Sequence, residues 1–280
     1  MNIILISVLL LAIIGGLSAI ILNVVARRFH VVEDSRIGLV EDILPAVNCG
    51  RCGYPGCHGF AEACVKASSL DGLRCPVGGD EVMLRVGTVL GLNLKPSMPL
   101  IAVVRCNGSC ENRPQTNQYD GAKSCAVESM LYGGQTGCSY GCLSHGDCVK
   151  VCMFDAIYIN KETLLPEVNE DKCTACGACV KVCPRSIIEL RKKGPGSQRI
   201  FVNCVNKDKG AISRKACLVS CIACGKCQQS CNYNAITVAN NLAYIDSDMC
   251  TLCRACVEVC PTSAIAALHF PPEEKPESEE

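Results

Sequence analysis

The first 26 residues, MNIILISVLLLAIIGGLSAIILNVVA, are apolar throughout and contain no charged side chain. At a helical rise of about 1.5 Å per residue, a stretch of this length crosses roughly 30 Å of hydrocarbon. Residues 1–26 therefore predict a transmembrane helix. A cleaved signal peptide is the alternative, but the segment lacks a basic start and an A-x-A cleavage site. Arg27 and Arg28 follow directly, which favours a cytoplasmic position for everything downstream.

Further along the chain, short β-rich runs are separated by polar turns. The stretches DAIYINKETLLPEVNEDKC (155–173) and NAITVANNLAYIDSDMC (234–250) each contain two such runs, which predicts two β-hairpins. The segments IAVVRC (101–106) and IFVNC (200–204) look like the same strand end twice. SIIEL, after Cys183, and TSAIAAL, after Cys260, predict a short helix or strand that completes each unit. The predicted fold class is α+β.

Composition changes the picture, because the chain has 26 cysteines, no tryptophan and only twelve Phe and Tyr together. A normal aromatic core is therefore not expected. The 27 basic residues balance 27 acidic ones, so we expect no nucleic-acid partner. Disulfides carry no demand for one repeated short interval. Reduced thiolates that bind metal are the favoured interpretation, and this agrees with a cytoplasmic location.

The cysteine intervals repeat. The signature C-x2-C-x2-C-x3-C-P, typical of bacterial iron–sulfur proteins, begins at Cys173 and again at Cys250. The same cysteine intervals begin at Cys221, and a wider version, in which His145 stands at the middle position, begins at Cys138. Structural zinc sites usually show two separated C-x2-4-C pairs, so these triple runs favour [4Fe-4S] clusters.

In such proteins the fourth cysteine of a run binds the neighbouring cluster. This rule predicts four clusters, held by Cys152, Cys173, Cys176 and Cys179; by Cys231, Cys250, Cys253 and Cys256; by Cys221, Cys224, Cys227 and Cys260; and by Cys138, Cys142, Cys148 and Cys183. For His145 we expect a solvent-facing loop position, with ligation as the alternative. The two pairs resemble the two-cluster ferredoxin fold, duplicated in tandem.

A further motif, CGRCGYPGC followed by CP, places Cys49, Cys52, Cys57 and Cys75 as ligands of a fifth [4Fe-4S] cluster, with zinc as the alternative. Cys64 lies in the helical pattern FAEACVKA and is expected to be a buried small hydrophobe. A sixth cluster could use Cys106, Cys110 and Cys125, with Cys204 or Cys217 as the fourth ligand. Free structural thiols are the alternative for these five.

The predicted boundaries follow from these motifs. They are a transmembrane helix at 1–26, a cluster-binding α domain at 27–95, a connecting segment at 96–137, ferredoxin-like modules at 138–195 and 217–270, a basic connector at 196–216, and an acidic disordered tail at 271–280. The tail is too polar to bury anything.

The order of transmembrane helix, CGRCGYPGC motif and ferredoxin-like repeats resembles the B subunits of Rnf complexes, which are ion-translocating ferredoxin:NAD⁺ oxidoreductases of the membrane. The resemblance implies a subunit of a translocating enzyme complex that accepts electrons from reduced soluble ferredoxin and relays them to partner subunits. No G-x-G-x-x-G follows a strand, so no complete active site is expected in this chain. The alternatives are the electron-input subunit of a hydrogenase-like membrane complex and a redox-sensing iron–sulfur protein.

Residues 181–215 contain ten Lys or Arg against two acidic residues. Soluble ferredoxins are generally acidic, and opposite fields raise encounter rates. We therefore expect ferredoxin to dock near Lys192, Lys193, Lys207 and Lys209. A solvated linker with no partner is the alternative.

Overall fold

The computed structural model describes residues 2–28, 34–93 and 98–271. Its first helix, α1 (Asn2–Arg28), contains the apolar span Leu5–Val25 with a mean hydropathy of 2.8. The side chains of this span are exposed rather than packed against the rest of the protein. By length and composition α1 can therefore cross a membrane, as the sequence predicts. The expected acidic tail lies outside the described residues, apart from Pro271.

Three helices form a small α domain after α1. They are α2 (Ser35–Ile43), α3 (Gly56–Lys66) and α4 (Gly79–Leu90). Their core contains Val40, Phe60 and Val86, each at most 1% exposed. Helix α2 begins at an Asp34 cap, which accepts a hydrogen bond from the Arg36 amide.

The first ferredoxin-like module consists of two antiparallel strand pairs and three short helices. β2 (Ile157–Ile159) pairs with β3 (Pro166–Val168), which confirms the first predicted hairpin. β1 (Leu100–Val104) pairs with β4 (Ile188–Lys192), with Leu100 opposite Lys192. The helices are α5 (Cys125–Leu131), α6 (Asp147–Lys150) and α7 (Ala178–Val182).

The second module repeats this plan. β6 (Ile236–Ala239) and β7 (Leu242–Ile245) form the second predicted hairpin, and β5 (Arg199–Val202) pairs with β8 (Ile265–Leu268). Its helices are α8 (Gly210–Ala216), α9 (Lys226–Gln229) and α10 (Ala255–Glu258). The segments after Cys183 and Cys260 are therefore strands, β4 and β8. They pair with β1 and β5, which contain the two similar strand ends noted in the sequence.

This pairing changes two expected boundaries. The segment 96–137, predicted as a connection, contains β1, which completes the first module's sheet. The basic connector, 196–216, contains β5 and α8 and belongs to the second module. The physical reason is that β4 and β8 each leave an unpaired edge, which a preceding strand covers.

The two modules pack together around a buried network of arginines. Ile101 and Val103 of β1 contact Phe201 of β5. Arg105 and Arg191 both bond to Glu189, through atoms 3.0 and 2.5 Å apart. Both guanidinium groups also stack on the Tyr244 ring. Since these contacts cross from β1 and β4 to β5 and β7, they fix one module against the other.

Candidate metal centres

Each of the 26 cysteines is a free thiol, and most of them line cavities in groups of four. Five such cavities have nearly equal size, with about 320 to 370 Å³ of space, part of it open to solvent. We call each group of four a quartet. Their members are Cys49, Cys52, Cys57 and Cys75; Cys152, Cys173, Cys176 and Cys179; Cys125, Cys142, Cys148 and Cys183; Cys106, Cys138, Cys204 and Cys217; and Cys221, Cys224, Cys227 and Cys260.

A sixth group comprises Cys231, Cys250, Cys253 and Cys256. Burial raises the pKa of Cys250, and the charges of Cys253 and Cys231 add to the rise. Burial likewise raises the pKa of Cys256 to about 12, with the charge of Cys250 as the next largest cause. Cys231, Cys250 and Cys256 also belong to one hydrophobic cluster, so we group them with Cys253 as the sixth quartet.

Four cysteine loops share one backbone geometry. The residues on either side of the middle position have φ between 53° and 76° in every loop: Ala175 and Gly177, Ala223 and Gly225, Leu252 and Arg254, and Ser144 and Gly146. In the first three loops the middle residue is a cysteine, and in the fourth it is His145. Left-handed conformations at non-glycine residues are uncommon and cluster at functional sites. The fourth loop is thus a true member of the repeat despite its altered spacing.

Backbone amides point at the thiols. Amide nitrogens of Gly78, Ala156 and Ala264 lie 3.3 to 3.4 Å from the sulfurs of Cys75, Cys152 and Cys260, respectively. Donors of this kind stabilise a thiolate, which is the form of cysteine that binds metal. Burial raises the pKa of several of these thiols, for example that of Cys179 to about 11. Four thiolates can lie this close together only when a positively charged metal centre binds them.

The quartets fit a polynuclear cluster better than a single ion. A tetrahedral zinc site brings four sulfurs within about 2.3 Å of one point. Across residues 2–28, 34–93 and 98–271, no three His, Cys, Asp or Glu side chains converge closely enough to hold one metal ion. The thiols instead surround a cavity with apolar walls, and this is the arrangement a [4Fe-4S] cubane requires.

Two quartets differ from the sequence-based grouping. The spacing predicts Cys138 beside Cys142, Cys148 and Cys183, but the structure places Cys125 there. Cys138 instead lines a cavity with Cys106, Cys204 and Cys217. Its sulfur lies 3.5 Å from the Asn206 side-chain amide, so it faces the segment that carries Cys204.

Helix α5 explains why Cys125 takes this position. Asp147, next to Cys148, accepts hydrogen bonds from the Ser124 hydroxyl and the Ala126 amide at 2.8 and 3.1 Å. His145, at the middle position of its loop, bonds to Glu128 of the same helix. These contacts clamp the start of α5 against the loop, and Cys125 is its first residue. The His145 side chain is only 11% exposed, so it is neither the expected solvent-facing residue nor a member of the quartet.

Two cysteines remain outside the quartets. Cys110, expected in the sixth cluster, is exposed, and its sulfur lies 3.1 Å from the Glu162 carbonyl oxygen. Cys64, a residue of α3, is completely buried in the core of the α domain, which confirms that it packs as a small hydrophobe. Burial, with smaller contributions from Cys52 and Cys75, raises its pKa to about 11.

Several quartets lie close to one another along the protein. The Arg51 guanidinium, from the first cysteine loop, donates to the Val151 carbonyl beside Cys152 at 3.1 Å. Burial is the main cause that raises the pKa of Cys148, and the charge of Cys179 from the next quartet adds to it. Burial also raises the pKa of Cys142, and there the charge of Cys106 adds to the rise.

The same proximity continues into the second module. The backbone amide of Cys221 hydrogen-bonds to the Cys204 thiol. The charge of Cys227 adds to the effect of burial on the pKa of Cys256. The quartets therefore follow one another from Cys49 to Cys152, Cys125, Cys106, Cys221 and finally Cys231, each group named here by its first cysteine. The Cys106 group, hereafter the bridging quartet, joins the two modules.

The lysines expected to dock a partner have different environments. Lys192 forms an ion pair with Asp248 at 2.7 Å, and the Lys193 ammonium lies 3.5 Å from the Glu170 carbonyl oxygen. Lys207 and Lys209 are exposed. They precede α8, which packs on the Cys221 loop through a 3.1 Å hydrogen bond from Ser213 to the Cys221 carbonyl.

Tandem ferredoxin-like modules with quartets in succession, together with an apolar helix able to span a membrane, define an iron–sulfur electron-transfer protein of the membrane. Comparison with known families agrees. Residues 44–77 match a putative Fe-S cluster family, residues 166–189 a 4Fe-4S binding domain, and residues 220–264 a 4Fe-4S dicluster domain.

Relatives of nearly full length are more specific. The B subunit of the Na⁺-translocating ferredoxin:NAD⁺ oxidoreductase complex of Acetobacterium woodii is 43% identical over 95% of this chain and 78% of its own length. The B subunit of the ion-translocating oxidoreductase complex of Methanosarcina acetivorans is 36% identical over 92% and 96%. The proton-translocating counterpart of Clostridium ljungdahlii is 38% identical over 96% and 94%. The chain belongs to the family of Rnf complex B subunits, and it is an electron-transfer subunit of such a multi-subunit enzyme complex.

Proposed function

We propose that this subunit holds six [4Fe-4S] clusters and relays electrons from reduced soluble ferredoxin towards the NAD⁺-reducing and ion-translocating parts of an Rnf complex. The observation that supports this most directly is the succession of six quartets from the second module to the α domain that follows α1 in the chain. A [4Fe-4S] cluster takes up and releases one electron at a potential that its surroundings tune. The polypeptide supplies the ligands, the apolar walls and the fixed spacing.

The six quartets assign 24 of the 26 cysteines as ligands and leave Cys64 and Cys110 outside. Four quartets have the membership that the sequence predicts. The other two are Cys125, Cys142, Cys148 and Cys183, and the bridging quartet of Cys106, Cys138, Cys204 and Cys217. Under this assignment the sixth cluster connects the two modules and does not belong to the first module alone.

Two observations indicate the direction of electron transfer. The Cys49 quartet lies in the α domain that follows α1 in the chain, so it is nearest in sequence to the bilayer. Among the quartet cysteines, Cys224 and Cys253 alone are exposed, and both belong to the second module at the opposite end of the order. Electrons would therefore enter at the second module and leave through the α domain. The arginines after α1 favour a cytoplasmic position for both ends.

The entry face carries positive charge. Exposed Lys207, Lys209 and Lys215 lie in or beside α8, and exposed Lys226 sits between Cys224 and Cys227. Because α8 packs on the Cys221 loop, which also carries the exposed Cys224, these charges belong to the same part of the second module. An acidic ferredoxin would be steered to this face, with a contribution that falls as salt screens it.

The test is the rate at which reduced ferredoxin reduces the purified, cluster-loaded protein, measured against ionic strength. The triple variant Lys207→Gln, Lys209→Gln, Lys215→Gln should react more slowly at low salt and converge with wild type at high salt. Lys66→Gln, which removes an exposed charge from α3, is the matched control and should follow wild type. A rate independent of ionic strength in the wild-type protein would contradict docking by charge.

A further inference from the structure

The bridging quartet has an unusual wall, because a buried arginine lines its cavity without an acidic partner. Arg113 is 8% exposed, and the cavity also contacts Arg105 and Asn206. Within the described part of the chain, no carboxylate lies within ion-pair distance of Arg113. Arg105, which lines the same cavity, shares Glu189 with Arg191, and Arg199 pairs with Glu170. The charge of Arg113 is therefore balanced by nothing nearer than the thiolates.

The position of this guanidinium group is fixed by the backbone around it. Its Nη2 donates to the Cys142 carbonyl oxygen at 2.8 Å, and its backbone amide donates to the Ser109 carbonyl at 2.9 Å. Two glycines leave the space that it fills. A Cβ atom on Gly141 would lie 2.0 Å from Nη1, and one on Gly108 would lie 3.2 Å from Cδ. The buried Nε has no hydrogen-bond partner.

This placement points the arginine at two quartets. Cys142 belongs to the Cys125 quartet, and its carbonyl holds Nη2. The bridging quartet lies on the other side, since Arg113 also lines the cavity shared by Cys106, Cys138, Cys204 and Cys217. Asn206, 1% exposed, adds an amide donor 3.5 Å from the Cys138 sulfur. Positive charge and hydrogen-bond donors thus converge on the bridging quartet.

We infer that the charge of Arg113 raises the reduction potential of the centre held by Cys106, Cys138, Cys204 and Cys217. Reduction adds one negative charge to a site whose four thiolates are already anionic. A buried, uncompensated cation stabilises the reduced form more than the oxidised form, because charges interact more strongly away from water. The inference rests on the proposed function, since it requires a cluster at this site. Its consequence is that the link between the modules accepts an electron readily.

The experiment is a redox titration of the full-length, cluster-loaded protein, followed by electron paramagnetic resonance. Cys217→Ser identifies the signal of the bridging centre as the one that it alters. Arg113→Gln should move the midpoint potential of that signal to a more negative value, whereas Arg113→Lys should keep it near wild type. Arg85→Gln removes an exposed arginine of α4 in the α domain and is the control, for which no shift is expected.

Iron analysis separates failure of the inference from failure of the proposed function. Six clusters correspond to about 24 iron atoms per chain, and five to about 20. A full iron content with an unmoved midpoint in Arg113→Gln would overturn the role of Arg113 alone. About 20 iron atoms in wild type, unchanged by Cys217→Ser, would overturn the bridging cluster itself. If Arg113→Gln loses iron, Gly141→Ala provides the test, because its methyl group displaces the Arg113 guanidinium while the positive charge is kept. Gly141→Ala should also shift the midpoint potential of the bridging centre to a more negative value, and an unchanged midpoint potential would refute the inference.

Discussion

Glu189 is a carboxylate shared by two buried guanidinium groups, those of Arg105 and Arg191, at the contact between the modules. Its two oxygens lie 3.0 Å from Arg105 Nη1 and 2.5 Å from Arg191 Nε. Arg105 also donates to the Val202 carbonyl, and Arg191 donates to the Ile245 carbonyl. We expect Glu189→Gln to destabilise this contact strongly, because both arginines then remain buried without a counter-charge.

The size of the effect follows from burial. Removing one partner of a buried ion pair costs about 3 to 5 kcal/mol. Because the Glu189 side chain is 22% exposed, we expect a loss of unfolding free energy at the lower end of this range, about 3 kcal/mol. For a chain of this size, that corresponds to a fall in melting temperature of roughly 6 to 12 °C.

Anaerobic thermal unfolding measures this effect, with circular dichroism and visible cluster absorbance followed at one scan rate. Glu62→Gln is the matched control. It breaks an exposed i, i+4 pair with Lys66 in α3 and should leave the transition unchanged. If Glu189→Gln melts with wild type, the buried arginine network does not hold the modules together, and hydrophobic contacts such as those of Phe201 carry the interface.

Four further predictions concern the ligands, the metal and pH. Cys138→Ser should alter the same paramagnetic signal as Cys217→Ser, and Cys125→Ser the same signal as Cys183→Ser, whereas Cys110→Ser should retain full iron and all signals; one shared signal for Cys138→Ser and Cys183→Ser would restore the sequence-based grouping. Anaerobic iron chelation should unfold the cysteine-rich part that follows α1, since its small cores depend on the metal, and a native circular dichroism spectrum in the apo protein would contradict this. Burial alone would raise the pKa of Glu170, but hydrogen bonds from Arg199 and His269 outweigh it and lower the pKa. Its stabilisation is therefore complete above the unfolded carboxyl pKa of about 4.3 and is lost as pH falls below it; Glu170→Gln should flatten that part of the acid-unfolding curve, and an unaltered curve would count against the pair. Glu128→Gln should weaken the clamp on α5 and broaden the signal of the Cys125 quartet, while Glu111→Gln, nearby in sequence but exposed, should not.

The sequence predicted most of the fold because its signals are local. Three cysteines at intervals of three residues determine the shape of each loop, and two β-rich runs around a polar turn determine each hairpin. Both predicted hairpins are present, as is the burial of Cys64. The strand pairing of β1 with β4 was suggested only by the likeness of two strand ends, and the structure supplies the partner.

What the sequence could not predict depends on contacts between distant segments. Replacement of the middle cysteine by His145 removes the local signal for the ligand that completes its quartet. The fourth cysteine of that quartet is Cys125. It is held there by hydrogen bonds from the start of α5 to Asp147, which lies more than twenty residues away in the sequence. Arg113 and Asn206 belong to no motif. The best available signal for the arginine is the pair of glycines whose missing side chains make room for it.

The mixed origin of the bridging quartet has a consequence for biogenesis. Cys106 and Cys138 precede the first module's hairpin in the chain, whereas Cys204 and Cys217 follow its last strand. A ribosome must therefore complete the first module and begin the second before all four thiols exist. Under the proposed ligand assignment, iron–sulfur assembly at this position must wait for translation to pass Cys217, although the Cys49 group can be filled much earlier.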